Sequence, residues 1–190
     1  MLRKIAVDID GVLADQVSLI LAKLNQKYGL SLTKTDITEW DTRIADTDIK
    51  TEIENALLDP DYVLSLPVIE GSENGMRYLF ENYYVTISTS RPKETEDATI
   101  KWLSSHFEYH DFCNTSGRGK DCIVSDFLID DYIPNIEMFV KANRTGLLFS
   151  QPWNKDRTSI QNLIARSIVY SCNNWSEVIE VLELISSKTP

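Results

Sequence analysis

The chain has 190 residues, a formal charge of −10, 43% hydrophobic residues and 25% charged residues. These are ordinary globular values, and the length suffices for one domain with a well-buried core and an insertion. The acidity argues against a nucleic-acid backbone as partner, which needs a basic patch; an acidic protein that handles phosphate must gather its cations locally or use a metal. Cys113, Cys122 and Cys172 are widely spaced and form no Cys-x-x-Cys pair. They fit neither a disulfide framework nor a zinc site, so a reducing, cytoplasmic setting is expected. The N-terminus leads directly into a strand-like run without a signal-like stretch, no apolar run is long enough to span a membrane, and no internal repeat or low-complexity linker is present.

The chain opens on Ile5-Ala6-Val7-Asp8-Ile9-Asp10-Gly11-Val12-Leu13-Ala14-Asp15. Ile5 to Val7 predict a short buried strand, because β-branched residues in an apolar run suit a sheet covered on both faces. Gly11 permits a sharp turn. Asp8 and Asp10 then lie two apart at the carboxyl end of that strand, where two such close carboxylates are tolerable if a cation lies between them or one is protonated. Val17, Ile20, Leu21, Leu24 and Tyr28 predict a helix that stops at Gly29. Asp36 to Glu39 predict the opening of another helix. Ile49, Ile53 and Leu57 predict a further one, ending near Asp59-Pro60. No strand is predicted between Asp15 and Pro67.

From Ser72 the pattern alternates helix and strand. Met76, Leu79 and Phe80 predict a helix, and Tyr84 to Ser88 a strand that runs into Thr89-Ser90-Arg91-Pro92, where proline forces a turn. Ala98, Trp102 and Leu103 mark a helix, and Tyr109 to Cys113 a weaker strand. A loop, Asn114 to Gly119, leads to Lys120. Phe127 to Ile129 predict a strand ending in Asp130-Asp131, Pro134 opens a helix, and Gly146 to Phe149 form a strand. Ile168 to Tyr170 predict an edge strand, and Asn174 caps a last helix bearing Val178, Val181, Leu182 and Ile185. Strands alternating with helices imply a doubly wound, mostly parallel α/β sheet, whose ligands bind beyond the carboxyl ends of the strands. Asp8, Asp10, Thr89, Ser90, Lys120, Asp130 and Asp131 all fall at or just after such ends. Taken singly, each has an ordinary explanation in turn chemistry, solvation or helix capping; their joint occurrence in this order is what calls for a shared site.

The Asp8-x-Asp10-Gly11 stretch resembles motif I of the haloacid dehalogenase superfamily, and its longer form through Asp15 resembles the branch containing the 5′(3′)-deoxyribonucleotidases. The order Asp8 and Asp10, Thr89 and Ser90, Lys120, then Asp130 and Asp131 is similar to that superfamily's motifs I to IV. Ser150-Gln151-Pro152-Trp153-Asn154 resembles the loop after the fifth strand in deoxyribonucleotidases. In the stretch after the first strand, little beyond Trp40-Asp41 matches. The resemblance implies a Rossmann-like α/β core over residues 1–14 and 72–190, with a small helical cap over 15–71.

It also implies a Mg²⁺-dependent phosphatase. Asp8 would attack phosphorus and Asp10 would act as general acid and base. Thr89 and Ser90 would bind the phosphoryl group, Lys120 would hold Asp8 and phosphate together, and Arg91 would add a phosphate or sugar contact. The metal would be held by Asp8, the Asp10 backbone carbonyl and one of Asp130 and Asp131, with Asp131 favoured. The implied partner is a small nucleoside monophosphate, pyrimidine deoxyribonucleotides such as dUMP and dTMP foremost, with Trp40 and Trp153 available as an apolar wall for the base; a homodimer is compatible with this reading. The alternatives are a phosphatase for another small ester such as a sugar phosphate, a receiver domain, and a catalytically silent binder. The order of the acids, Asp-x-Asp first and the adjacent pair last, disfavours the receiver; the intact Asp10 disfavours the binder.

Overall fold

The computed structural model describes residues 2–187. Its main sheet has six strands, all pairing parallel. In chain order these are β1 (Lys4–Asp8), β4 (Tyr84–Thr89), β5 (Asp111–Asn114), β6 (Phe127–Asp130), β7 (Thr145–Phe149) and β8 (Val169–Cys172); a two-stranded hairpin, β2 (Arg43–Ile44) with β3 (Thr47–Asp48), stands apart. The spatial order is β5-β4-β1-β6-β7-β8. The order therefore reverses at β1, and ligands of such sheets bind in the crevice at that point.

Alternation along each strand divides the interior in two. Ile5, Val7, Phe127, Ile129, Leu147 and Phe149 join one apolar cluster. Ala6, Leu128, Leu148 and Val169 join the other, with Ile136, Phe139 and Val140, residues of the helix α6 (Ile133–Val140). Ala6 pairs with Leu128 and Val7 with Ile129. The next residues on the Ala6 face are Asp8 on β1 and Asp130 on β6, so register alone brings two acids side by side.

Between β1 and the helix α4 (Ser72–Asn82) the chain makes a long excursion that adds no strand to the main sheet. Its first helix, α1 (Gln16–Tyr28), starts where the Asp15 carboxylate accepts from the Ser18 N–H at 3.1 Å and ends at Gly29 in the left-handed conformation, φ 66°. The next, α2 (Ile49–Ala56), is capped by Asp48, which accepts from the Thr51 N–H at 2.8 Å. The excursion leaves and rejoins at one neck: the Asp15 N–H donates to Pro67 O at 2.9 Å and the Ile69 N–H to Leu13 O at 2.8 Å.

Two expectations here need correction. The predicted helix opening at Asp36 is instead a 3₁₀ turn, Lys34–Asp36, whose cap is Thr33: the Asp36 carboxylate turns back to accept from the Thr33 N–H and hydroxyl. The stretch predicted to lack strands holds the β2–β3 hairpin. The helix predicted to end near Asp59-Pro60 ends just before them, at Ala56; Pro60 then opens α3 (Pro60–Leu64), a helix the sequence pattern did not reveal, with the Asp59 side chain as cap, because proline's missing N–H costs nothing in a first helical turn. The remaining helices are α5 (Glu96–His106), α7 (Gln161–Ala165), which the sequence pattern did not reveal, and α8 (Trp175–Ser187), where the Asn174 side chain accepts from the Glu177 N–H at 3.0 Å as expected. No helix of the described residues is long and apolar enough to cross a membrane.

Candidate active site

At the carboxyl ends of β1, β4 and β6 lies a cavity of about 270 Å³. Its floor carries Asp8, Asp10, Thr89, Ser90, Lys120 and Asp131; its opposite wall is a face of α2 and the turn after it, with Lys50, Ile53, Glu54 and Leu57 spaced three and four apart. Trp40, Gln16, Tyr132 and Asn135 complete it. The structure thus gathers six of the residues singled out in the sequence on one floor. The α2 wall was not foreseen; its helical spacing was visible, but nothing in the sequence said which side faced the sheet ends.

The floor is electrostatically loaded. Lys120 is buried and its ammonium lies 2.5 Å from Asp8 Oδ1 and 2.8 Å from Asp130 Oδ2. Asp130 is otherwise consumed: Oδ1 accepts from the Tyr132 N–H at 2.8 Å and Oδ2 from the Asn135 amide at 3.0 Å. Asp131, also buried, accepts at Oδ2 from the Trp153 indole N–H at 2.8 Å, while its backbone carbonyl accepts from the Asn154 amide at 2.7 Å. Gly11 makes that placement possible. Its φ is +79°, and a Cβ there would lie 2.2 Å from Asp131 Oδ2. Gln16 and Gln151 pin Gly11, the first accepting from its N–H at 3.0 Å and the second donating to its carbonyl at 2.6 Å.

Arg91 lies against Asp10, with Nε donating to Oδ2 at 2.9 Å and Nη2 to Oδ1 at 2.7 Å. Its backbone N–H donates to the Thr89 hydroxyl oxygen at 3.1 Å, and among the described residues the Thr89 O–H, at the cavity floor, meets no acceptor. Ser90 is exposed beside it. Of the two tryptophans considered for a base wall, Trp40 lines the cavity; Trp153 packs against Trp40 with ring centroids 4.8 Å apart and the planes tilted by 43°, and turns its N–H to Asp131.

Asp8, Asp130 and Asp131 each offer an oxygen within 4.8 Å of the others. Burial pushes the Asp8 carboxyl up to about 7, with Asp130 and Asp10 adding to the rise and Lys120 opposing it. Burial, then Asp8 and Asp130, push Asp131 well above the carboxylate range. Burial pulls Lys120 down, but Asp130 and Asp8 outweigh it and the net shift is upward. Asp8, Asp130 and Asp131 are three buried carboxyls whose oxygens converge, and burial disfavours the charged forms of Asp8 and Asp131 unless a cation joins them. Such an all-oxygen donor set fits a hard divalent cation such as Mg²⁺.

The fold is shared with solved hydrolases of the haloacid dehalogenase superfamily. A hydrolase of that superfamily from Deinococcus radiodurans R1, solved with bound phosphate and sodium, superposes over 100% of this chain and 98% of its own at TM-score 0.63 and 16% identity. The hydrolase YfnB from Bacillus subtilis, solved bound to magnesium, does so over 96% and 99% at TM-score 0.58 and 17% identity. The family profile described as 5′ nucleotidase, deoxy (pyrimidine), cytosolic type C protein matches residues 2–188, and the chain belongs to that family of phosphoric monoester hydrolases. A 5′(3′)-deoxyribonucleotidase of Bacillus subtilis strain 168 is 32% identical over 182 residues, covering 94% of this chain and 97% of its own; one of Bacillus phage SPbeta matches to the same extent.

Proposed function

We propose that this protein hydrolyses deoxyribonucleoside 5′-monophosphates, pyrimidine ones such as dUMP and dTMP foremost, through an aspartyl-phosphate formed on Asp8. The observation that carries the reading is the buried Asp8–Lys120–Asp130 ion cluster, with Asp131 beside it, on the floor of a cavity walled by α2. Mg²⁺, held by Asp8, the Asp10 backbone carbonyl and Asp131, would neutralise phosphate charge that otherwise repels a carboxylate nucleophile. Asp131 is the better ligand of its pair, because both oxygens of Asp130 already accept from protein donors.

The chain's own groups divide the work. Lys120 orients Asp8 and offsets phosphate charge. The Thr89 O–H and Ser90 hold phosphoryl oxygens. Asp8 attacks phosphorus as the ester P–O bond breaks, and Asp10 gives a proton to the leaving alkoxide. Asp10 then takes a proton from water, which attacks phosphorus, frees Asp8 and releases inorganic phosphate. On the leaving-group side, Ile53 and Leu57 present apolar surface and Lys50 and Glu54 polar ends, a suitable lining for a base and a sugar. Arg91 is committed to Asp10, so its role is to support that residue rather than to bind substrate.

Phosphate release measured on dUMP, dTMP, dAMP, UMP and glucose 6-phosphate, with and without Mg²⁺, tests the reading. Deoxypyrimidine monophosphates should lead in kcat/KM, and rejection of a ribose hydroxyl by fit should be modest, on the order of 10² at most. If glucose 6-phosphate leads and no nucleotide turns over, the nucleotidase reading falls and the protein is a phosphatase of sugar esters.

A further inference from the structure

The loop after β7 reaches back to the acid cluster. An indole N–H donates one hydrogen bond and accepts none, and that of Trp153 is given to Asp131 Oδ2 at 2.8 Å. Trp153 is only half-buried, so its ring needs neighbours to hold it. Two residues of the excursion between β1 and α4 supply them. The Trp40 ring sits 4.8 Å away at 43°. The Lys34 ammonium lies 5.5 Å from the Trp153 ring centroid while pairing with Asp15 at 3.2 Å. Trp40 also lines the cavity. A line of contacts therefore runs from the cavity wall, through two indoles, to a carboxylate beside Asp8.

We infer that Trp153 is a positioning residue for Asp131, occupying Oδ2 so that Oδ1 is aimed at the cation, and that Trp40 couples the substrate side of the cavity to that ligand by fixing the Trp153 ring. The inference rests on the Mg²⁺ reading proposed above. Its physical basis is that a metal-ligating carboxylate with one oxygen bound to a fixed donor is held in one orientation, and loss of such a donor typically weakens metal binding ~10–100-fold. If Trp40 shifts when a substrate enters, Mg²⁺ affinity and substrate affinity must change together, and by the same factor in both directions.

The test is calorimetric titration of Mg²⁺ into the full metal-free chain, with tryptophan emission followed in parallel. Trp153→Phe keeps a ring and removes the N–H; it should weaken Mg²⁺ binding ~10–100-fold and abolish the Mg²⁺-dependent change in emission. Trp40→Leu keeps the N–H but frees the ring; it should weaken Mg²⁺ severalfold, with little further loss when added to Trp153→Phe, since both act through one hydrogen bond. Trp153→Phe binding Mg²⁺ within about twofold of the unsubstituted chain, far short of a lost orienting donor, overturns the proposal, as do losses that simply multiply in the double variant. Should Trp153→Phe fail to fold, Trp40→Leu decides alone, and an unchanged affinity there overturns it. If the unsubstituted chain binds no Mg²⁺, the metal reading itself falls and takes this inference with it.

Discussion

Arg91 grips Asp10 by both carboxylate oxygens, at 2.9 and 2.7 Å, across 81 residues of chain. The guanidinium is buried, 3.4 Å from the Thr99 hydroxyl and 5.9 Å from the centre of the Trp102 ring. A planar fork suits a carboxylate in a way that a lysine ammonium cannot reproduce. Two donated hydrogen bonds fix the plane and direction of the Asp10 carboxyl, so its orientation depends on the fork.

Arg91→Lys should therefore lower kcat on a nucleoside monophosphate, by up to ~10²-fold given the usual worth of a general acid–base. The loss should be smaller on p-nitrophenyl phosphate, whose leaving group needs no proton. Equal losses on both esters would show that Arg91 acts elsewhere.

Asp8→Asn should abolish turnover, because an amide is neither a nucleophile nor a good metal ligand. Asp10→Asn should lose ~10²–10⁴-fold yet still bind Mg²⁺, since its proposed ligand atom is the backbone carbonyl. Near-normal activity in Asp8→Asn would exclude the covalent route; steady-state assays with calorimetry on both variants distinguish these outcomes.

Activity should vanish with a chelator and return with Mg²⁺. Asp131→Ala should weaken Mg²⁺ binding more than Asp130→Ala, whereas Asp130→Ala should cost more thermal stability by leaving the Tyr132 N–H and the Asn135 amide without their acceptor and the Lys120 ammonium paired with Asp8 alone. The reverse ranking in a Mg²⁺ titration would move the ligand to Asp130.

Gly11→Ala should be among the most damaging single-methyl changes in the chain. It combines φ +79° with a Cβ placed 2.2 Å from an Asp131 oxygen. A backbone strain of ~1–3 kcal/mol comes with displacement of Asp131, so thermal stability and Mg²⁺ affinity should fall together. A variant that loses stability but keeps its Mg²⁺ affinity would show that Asp131 tolerates the shift.

Metal-free protein should melt at a lower temperature near pH 8 than near pH 5. Burial raises Asp8 from 3.8 to about 7, and Asp131 also rises. Between these values the folded state keeps a proton that the unfolded chain has released, so their contribution is full below the unfolded pKa and is lost as pH climbs through the folded one. The proposed Mg²⁺ would be held by the deprotonated carboxylates and should raise Tm more at the higher pH. Thermal scans at matched ionic strength check this; a metal-free Tm that climbs steadily over that range would contradict it.

The strands, the strand-end acids and the main helices were readable because their signals are local: apolar runs, helical spacing and capping residues. What escaped was short or distant. Two-residue strands such as Arg43–Ile44 carry no periodicity. Pro60 serves equally after one helix and at the start of the next, and only the Asp59 cap decides. The Thr33–Asp36 reciprocal bonds place the cap three residues before the acid whose local pattern suggests a helix start. The partners of Arg91 and Trp153 lie 81 and 22 residues away, and no spacing rule predicts which carboxylate a buried donor will find.

The neck where Leu13–Asp15 runs beside Pro67–Ile69 has a consequence for how this chain can diverge. Its two legs are already hydrogen-bonded to each other, so the segment between them closes a loop whose ends are in place, and lengthening it costs the sheet only a slowly growing entropy. Insertions or deletions in that segment that spare Gln16, Lys34 and Trp40 need not disturb the register that sets Asp8 beside Asp130. The α2 lining can therefore vary over generations more freely than those three residues, which reach the floor.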